Sequence, residues 1–293
     1  MTENEGPDFI GIGMPKAGTG WLYDQLRYHP DFWIPPVKEL NYLNNDTPAL
    51  ANVRSAYKRG KARPERMRTS ARRNRPVWDD RDFGFLDDAM ALAKRERDIA
   101  NYATLFRHKG ALKSGDMTPR YCLLTPDVIA EIAQKLPHLK VIYLVRDPIA
   151  RLWSHINLFY NHDKLDVALL EDAAAFARFV DNHPTIVDSS RATRTLETWK
   201  MAAPSLPLRY FLFDDLAHEP ERTRREILEF LGGDPGKPSA HLSAGYNRKS
   251  GKAALVMPDA IRDVLRDRLA DEVRACAALL GGAARNWPAL YGL

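Results

Sequence analysis

The sequence predicts an α/β fold: one domain with a mainly parallel central sheet, flanked by helices and entered through a P-loop-like strand–loop–helix. Three observations predict it. Short apolar runs, Phe9–Met14, Lys140–Val145 and Leu208–Phe213, have the length of buried strands. Segments with helical start and stop signals separate them. The first run ends in a turn holding Pro15, Gly18 and Gly20, with a helical stretch directly behind it.

In chain order, Phe9–Met14 is read as a strand and Gly20–Tyr28 as its helix. Ala111–Ser114 is a short strand candidate. Pro126–Lys135 carries acids near its start and reads as a helix. Lys140–Val145 is the strongest strand. Asp147 is placed to cap a helix from Pro148 to about Tyr160, with proline at the first helical position. Leu208–Phe213 is the next strand. A helix from Glu219 to Leu231 stops at Gly232-Gly233, and a long one from Pro258 to Leu280 stops at Gly281-Gly282. All 293 residues are expected in this one domain, with a charged insertion at about 44–100.

The chemistry starts in the first turn. A strand that feeds a glycine-bearing turn into a helix N-terminus aims free N–H groups and the positive helix end at one spot. Lys16 adds a full charge there and Thr19 a hydroxyl. The reading is a cradle for a phosphate or sulfate; the bland alternative is a tight turn using glycine for backbone freedom. The nucleotide-triphosphate motif G-x-x-x-x-G-K-[ST] is absent, because Lys16 stands three residues before Thr19. The dinucleotide pattern G-x-G-x-x-G is absent too.

Bulk properties exclude several classes. An apolar content of 45% fits a globular protein. No apolar run approaches the roughly 18 residues of a membrane span. The polar start, Met1 to Asp8, is unlike a secretory signal, and two distant cysteines, Cys122 and Cys276, read as reduced thiols, so a cytoplasmic location is expected. Histidines are scattered, and no metal is expected. Net charge is only +5, yet Arg54–Arg75 holds ten Lys/Arg against the single acid Glu65. That stretch reads as a solvated loop or lid, or as a patch for an anionic substrate. A nucleic-acid partner is disfavoured, since the stretch holds one aromatic, Tyr57, and no nucleic-acid module.

A second segment, Val141 to His155, puts Arg146 at the end of a buried strand and Ser154 eight residues on, inside the next helix. A strand-end arginine is suited to forked contact with phosphate oxygens. The bland alternative is a surface Arg146–Asp147 pair and a satisfied helical serine.

Taken together, Pro15-Lys16-Ala17-Gly18-Thr19, Leu144-Val145-Arg146-Asp147-Pro148 and Arg151-Leu152-Trp153-Ser154-His155 resemble the sulfotransferases that use 3′-phosphoadenosine-5′-phosphosulfate (PAPS). His29-Pro30 through Val37-Lys38-Glu39-Leu40-Asn41-Tyr42-Leu43 resembles the branch with glycan (heparan-type) N- and O-sulfotransferases. Phe213-Asp214-Asp215-Leu216 through Phe230-Leu231-Gly232 resembles the late strand–helix unit of the family. The resemblance spans roughly residues 8–43 and 110–280 and leaves the basic insertion outside.

The resemblance implies a set of site residues. The 5′-phosphosulfate falls to Lys16, Ala17, Gly18, Thr19, Gly20 and Trp21, and the 3′-phosphate to Arg146 and Ser154. Arg248, Lys249, Ser250, Gly251 and Lys252 resemble a late loop that closes over the 3′-phosphate side. Glu39 matches the position of the catalytic base, and Lys16 the cation at the leaving phosphate. Asp116 and His155 are weaker candidates for the base, with His155 expected to pack along its helix. Lys38, Asp116 and Arg120 are assigned to the acceptor side, where Met117 stands in place of a lysine carried by many relatives. The expected reaction is sulfuryl transfer from PAPS to a hydroxyl of a glycan or small molecule, leaving 3′-phosphoadenosine 5′-phosphate (PAP). The alternative is a P-loop kinase or nucleotide hydrolase.

Overall fold

The computed structural model describes residues 6–44, 50–69, 77–93, 97–239, 242–246 and 254–293. Four strands form one sheet: β1 (Phe9–Gly11), β2 (Gly115–Met117), β3 (Lys140–Val145) and β4 (Leu208–Leu212). Their order is β2-β1-β3-β4 and every pairing is parallel. Phe9 sits in register with Gly115 on one side and Lys140 on the other, and Val141 with Leu208. β1 continues to pair beyond its last residue, since the Ile12 N–H donates to the Ile142 carbonyl at 3.0 Å. The strand order changes direction across β1 and β3. Their carboxyl ends therefore open the crevice in which ligands of such sheets sit.

β1 leads into α1 (Thr19–Arg27). The 44–100 stretch forms α2 (Ala51–Ala62), α3 (Pro64–Thr69), α4 (Asp80–Leu92) and the start of α5 (Ile99–Thr104). After β2 comes α6 (Pro126–Lys135), and after β3 come α7 (Pro148–Asn161), α8 (Ala173–Asp181), α9 (Pro184–Asp188) and α10 (Ala192–Ala202). α11 (Phe213–His218), α12 (Pro220–Leu231) and α13 (Asp259–Leu280) follow β4. Asp147 caps α7 as expected, its Oδ1 accepting from the N–H groups of Ile149 and Ala150 at 2.8 and 3.1 Å. α13 lays Ile261, Leu265, Leu269, Val273, Cys276 and Leu280 inward at helical spacing and packs along α7.

Two expectations are corrected. The second strand is Gly115–Met117, not Ala111–Ser114. Glycine and aspartate are poor strand formers, so this segment has no strand signature. Tertiary packing overrides that: a Cβ at Gly115 would lie 2.4 Å from the Phe9 carbonyl oxygen. Only glycine allows β1 and β2 to approach so closely. Nor is the basic stretch Arg54–Arg75 a solvated loop in its described part, which is helical in α2 and α3 and belongs to an insertion seated on the core. Val53, Ala56, Trp78, Phe85, Leu86 and Ala89 lie in the main core. α4 begins with a reciprocal capping box between Asp79 and Asp82. Buried Asp82 also accepts from Arg27 of α1 at 2.6 Å and from the Trp33 indole at 3.1 Å. The insertion thus fixes the helix that follows the Lys16 turn.

Candidate active site

The turn between β1 and α1 is wound tightly. Lys16 has φ 73° and Gly18 φ 92°, both in the left-handed region. Glycine is required at 18, because a Cβ there would also press on Leu216 and Phe213 at 3.2 and 3.4 Å. Gly18 caps α1 without a side-chain hydrogen bond, and the first turn carries no acid. The leading N–H groups of a nine-residue helix are therefore left for an external acceptor. A Cβ at Gly20 would meet nothing within 4 Å, so this side of the turn is open. Thr19 and Trp21 are buried, and the Trp21 indole donates to the Ala244 carbonyl at 2.6 Å.

Positive charge gathers at the site. The ammonium of Lys16 is held below its ordinary pKa, first by burial and then by Arg146, Arg151 and Lys38, with Glu39 opposing. Arg146 leaves the end of β3, donates from Nη1 to the Lys16 carbonyl at 3.1 Å and lies 4.6 Å from the ring centroid of Phe213. Burial lowers its pKa as well. Arg151 is wholly buried; its Nη2 donates to the Ile186 carbonyl at 2.7 Å, while Nε and Nη1 have no partner. Burial pulls that guanidinium down to about 10. Arg151 is thus a buried cation with no carboxylate beside it.

Ser154 is half-buried on α7, three residues beyond Arg151. His155 is turned edge-on to Phe159 with ring centroids 5.0 Å apart. Burial, then Arg151 and Lys16, push its pKa down to about 3. So low a value makes His155 a poor proton acceptor at neutral pH.

Glu39 reaches the same end of the sheet from the other side. Its N–H donates to the Met117 carbonyl at the end of β2 at 3.2 Å, and its φ is 66°. Two asparagines hold its backbone: the Glu39 carbonyl accepts from Asn41 at 3.2 Å and from Asn52 of α2 at 3.1 Å. Lys38 Nζ donates to Glu39 Oε1 at 2.6 Å, and the Glu39 side chain keeps 38% of its exposure. The carboxylate is thus oriented yet open to a solute.

Asp116 lies in the core. It is 2% exposed, and its oxygens accept from Tyr121 at 2.6 Å, Thr118 at 2.8 Å and Tyr102 at 3.2 Å. With its oxygens so engaged it fixes the end of β2. Arg120 is half-buried and lines a cavity of about 150 Å³ with Leu43, Asn44, Leu123, Leu124, Thr125 and Val128. The bland alternative of a surface Arg146–Asp147 pair does not hold, since Asp147 is buried, caps α7 and accepts from the Tyr291 hydroxyl at 2.7 Å.

Arg248, Lys249, Ser250, Gly251 and Lys252 lie outside the described residues. The described residues on either side are tied to α1 and α7. Gln25 of α1 donates to the Ser243 carbonyl at 2.9 Å. On α7, Trp153 donates to the Leu255 carbonyl at 3.3 Å, and Asn157 accepts from the Leu255 N–H at 2.7 Å. Among the described residues no group of His, Cys, Asp or Glu could hold a metal ion, and no helix is long and apolar enough to cross a membrane.

Sequence reading missed Arg151, Asn52 and Tyr291 as parts of this region. Arg151 stands inside the second motif, but its burial without a carboxylate is visible only in three dimensions. Asn52 and Tyr291 reach the site from segments without a motif.

Comparison with known proteins agrees with the geometry. Residues 7–234 match the model of the sulfotransferase family, and the chain belongs to that family. It is 27% identical over 176 residues to carbohydrate sulfotransferase 15 of Rattus norvegicus; the match covers 54% of this chain and only 28% of that relative. Among solved structures, the sulfotransferase of Alicyclobacillus acidocaldarius superimposes with TM-score 0.64 at 19% identity, covering 96% of this chain and 98% of that one. The sulfotransferase domain of the Synechococcus PCC 7002 olefin synthase gives TM-score 0.50 at 16% identity, covering 90% and 95%. At these identities the structural matches speak for the fold.

Proposed function

We propose that this sulfotransferase takes its sulfuryl group from PAPS and delivers it to a hydroxyl of a glycan or small molecule. One observation carries the reading. Two anion-accepting elements, the Lys16 turn and Arg146 at the head of α7, meet at the carboxyl ends of β1 and β3 and are joined directly at 3.1 Å. The donor carries anions at two separated points, which matches this arrangement. The uncapped start of α1 and the charge on Lys16 and Arg146 fit a polyanionic ligand.

Bound there, PAPS supplies the sulfuryl group. The turn residues Lys16 to Trp21 hold the 5′ end, and Arg146 and Ser154 the 3′-phosphate. Lys16 stabilises the charge that grows on the leaving phosphate oxygen. Glu39, oriented by Lys38, accepts the proton given up by the acceptor hydroxyl as the new S–O bond forms. Lys38 and Arg120 face the acceptor. No metal enters this scheme.

Transfer of labelled sulfate from PAPS to a set of hydroxyl acceptors tests the reading. Wild-type protein is expected to label at least one acceptor, and Glu39→Gln to label none above background. Magnesium-dependent ATP turnover with no transfer from PAPS would instead favour a kinase or hydrolase.

A further inference from the structure

The helical insertion carries a charged surface that the chemistry above does not use. In residues 51–69 there are seven cations, Arg54, Lys58, Arg59, Lys61, Arg63, Arg66 and Arg68, against one acid, Glu65. All seven are exposed. Lys61 and Arg68 pair with Asp87 and Asp80 of α4. Arg54, Lys58, Arg59, Arg63 and Arg66 make no ion pair among the described residues.

This surface starts at the site. Asn52, in the first turn of α2, donates to the carbonyl oxygens of Lys38 and Glu39 at 3.3 and 3.1 Å. Arg59 follows Asn52 by seven residues and shares its flank of the helix. At ~1.5 Å per residue, Arg59 lies roughly 10 Å along the axis from the contact with Glu39. Arg63 and Arg66 continue the charge beyond the end of α2. The adjoining flank, Val53, Ala56 and Gly60, is buried and fixes the helix against the core.

Resting on the assignment of Glu39 as the acceptor-side base, we propose that the Arg59 flank of α2, with Arg63 and Arg66, is a docking strip for an acidic oligosaccharide acceptor. The acceptor is then an extended chain with anionic groups on two or more residues. One hydroxyl lies at Glu39 while carboxylates or sulfates further along meet the arginines. Contiguity with the base favours an acceptor over a nucleic acid or a lipid surface, neither of which needs one end at the reacting centre. Arginine is the side chain suited to forked contact with carboxylate and sulfate oxygens.

The test uses a size series of uronate-bearing oligosaccharides, from disaccharide to octasaccharide, beside neutral oligosaccharides of equal length. For wild-type protein, kcat/KM is expected to rise with acidic chain length and to fall steeply with added salt. Arg59→Glu, and separately Arg59→Ala with Arg63→Ala, is expected to raise the KM for the acidic octasaccharide at least tenfold. Binding of PAP should stay within twofold of wild type, and the melting temperature should not change, because these side chains are exposed. Equal turnover of neutral and acidic chains by a protein that still binds PAP overturns the proposal while leaving the donor assignment intact. Loss of binding to duplex DNA or phosphatidylserine vesicles in these variants, with turnover unchanged, also overturns it. Absence of PAP binding in the wild type fails the donor assignment instead.

Discussion

The guanidinium of Arg146 donates to the carbonyl oxygen of Lys16 across 3.1 Å, joining the head of α7 to the turn before α1. These are the two elements that hold the donor in the proposed reaction. The bond makes them one rigid unit, and it leaves the rest of the Arg146 fork available while Phe213 supports its face. Arg146→Lys keeps the charge but loses the fork. It is expected to weaken PAP binding about tenfold, equivalent to about 1.4 kcal/mol, as measured by calorimetry. Unchanged affinity would remove Arg146 from the donor site.

In the proposed reaction Lys16 is the cation at the leaving oxygen. Lys16→Ala is expected to lower kcat by about 10²–10³, the usual cost of losing one preorganised charge donor. Because burial and the neighbouring arginines already disfavour the ammonium, the variant is expected to unfold no earlier than wild type. The checks are a steady-state assay and a melting curve. Full activity in a folded variant would contradict the role.

His155 ties stability to pH. Its imidazole has a pKa of about 3 in the fold, against 6.5 for the ordinary side chain. The unfolded chain therefore binds more protons between these values, so stability rises with pH across that window. The neutral form is fully accommodated above about pH 6.5, and the penalty grows as pH falls towards 3. His155→Gln is expected to lose less melting temperature than wild type between pH 7.5 and pH 5. Parallel curves would show that His155 does not titrate in this way.

Asp116 supports the site from the core. Asp116→Ala leaves the hydroxyls of Tyr102, Tyr121 and Thr118 without their acceptor in a buried setting. The expected cost is about 2–4 kcal/mol of stability by denaturant titration. A change below 0.5 kcal/mol would mean that the network is not tightly packed.

Tyr291 supports the site from the far end of the chain. Its hydroxyl satisfies Asp147 Oδ2, while Oδ1 caps α7 directly after Arg146. Tyr291→Phe leaves a buried carboxylate oxygen unpaired. The expected result is a several-fold rise in KM for the donor with acceptor KM unchanged. A matching rise in both would point to a general loss of structure.

The sequence was informative where chemistry sits in contiguous residues. The Lys16 turn and the Arg146 segment each combine a strand, a turn and a helix start within a few residues, so local signals and position in the sheet agree. The Gly115–Met117 strand was illegible because its residues are chosen for close approach to Phe9 rather than for strand propensity. The basic insertion looked like solvent-exposed chain because its cations outnumber its core residues. Yet Val53, Ala56, Trp78 and Phe85 suffice to seat its helices. The setting of Asp116 was hidden for a related reason: a carboxylate beside a strand end looks exposed until the three hydroxyls folded onto it are seen. The alignment of Asn52 with Glu39 and of Tyr291 with Asp147 depends on contacts between segments distant in the chain, which no local pattern records.

The central claim is a two-point grip on the donor nucleotide. Titration calorimetry with PAP and with AMP, which lacks the 3′-phosphate, tests it most directly when wild type and Arg146→Ala are compared. Wild type is expected to bind PAP at least 100-fold more tightly than AMP, and Arg146→Ala to lose most of that preference while its affinity for AMP stays nearly constant. Equal affinity of the wild type for the two nucleotides would contradict the account.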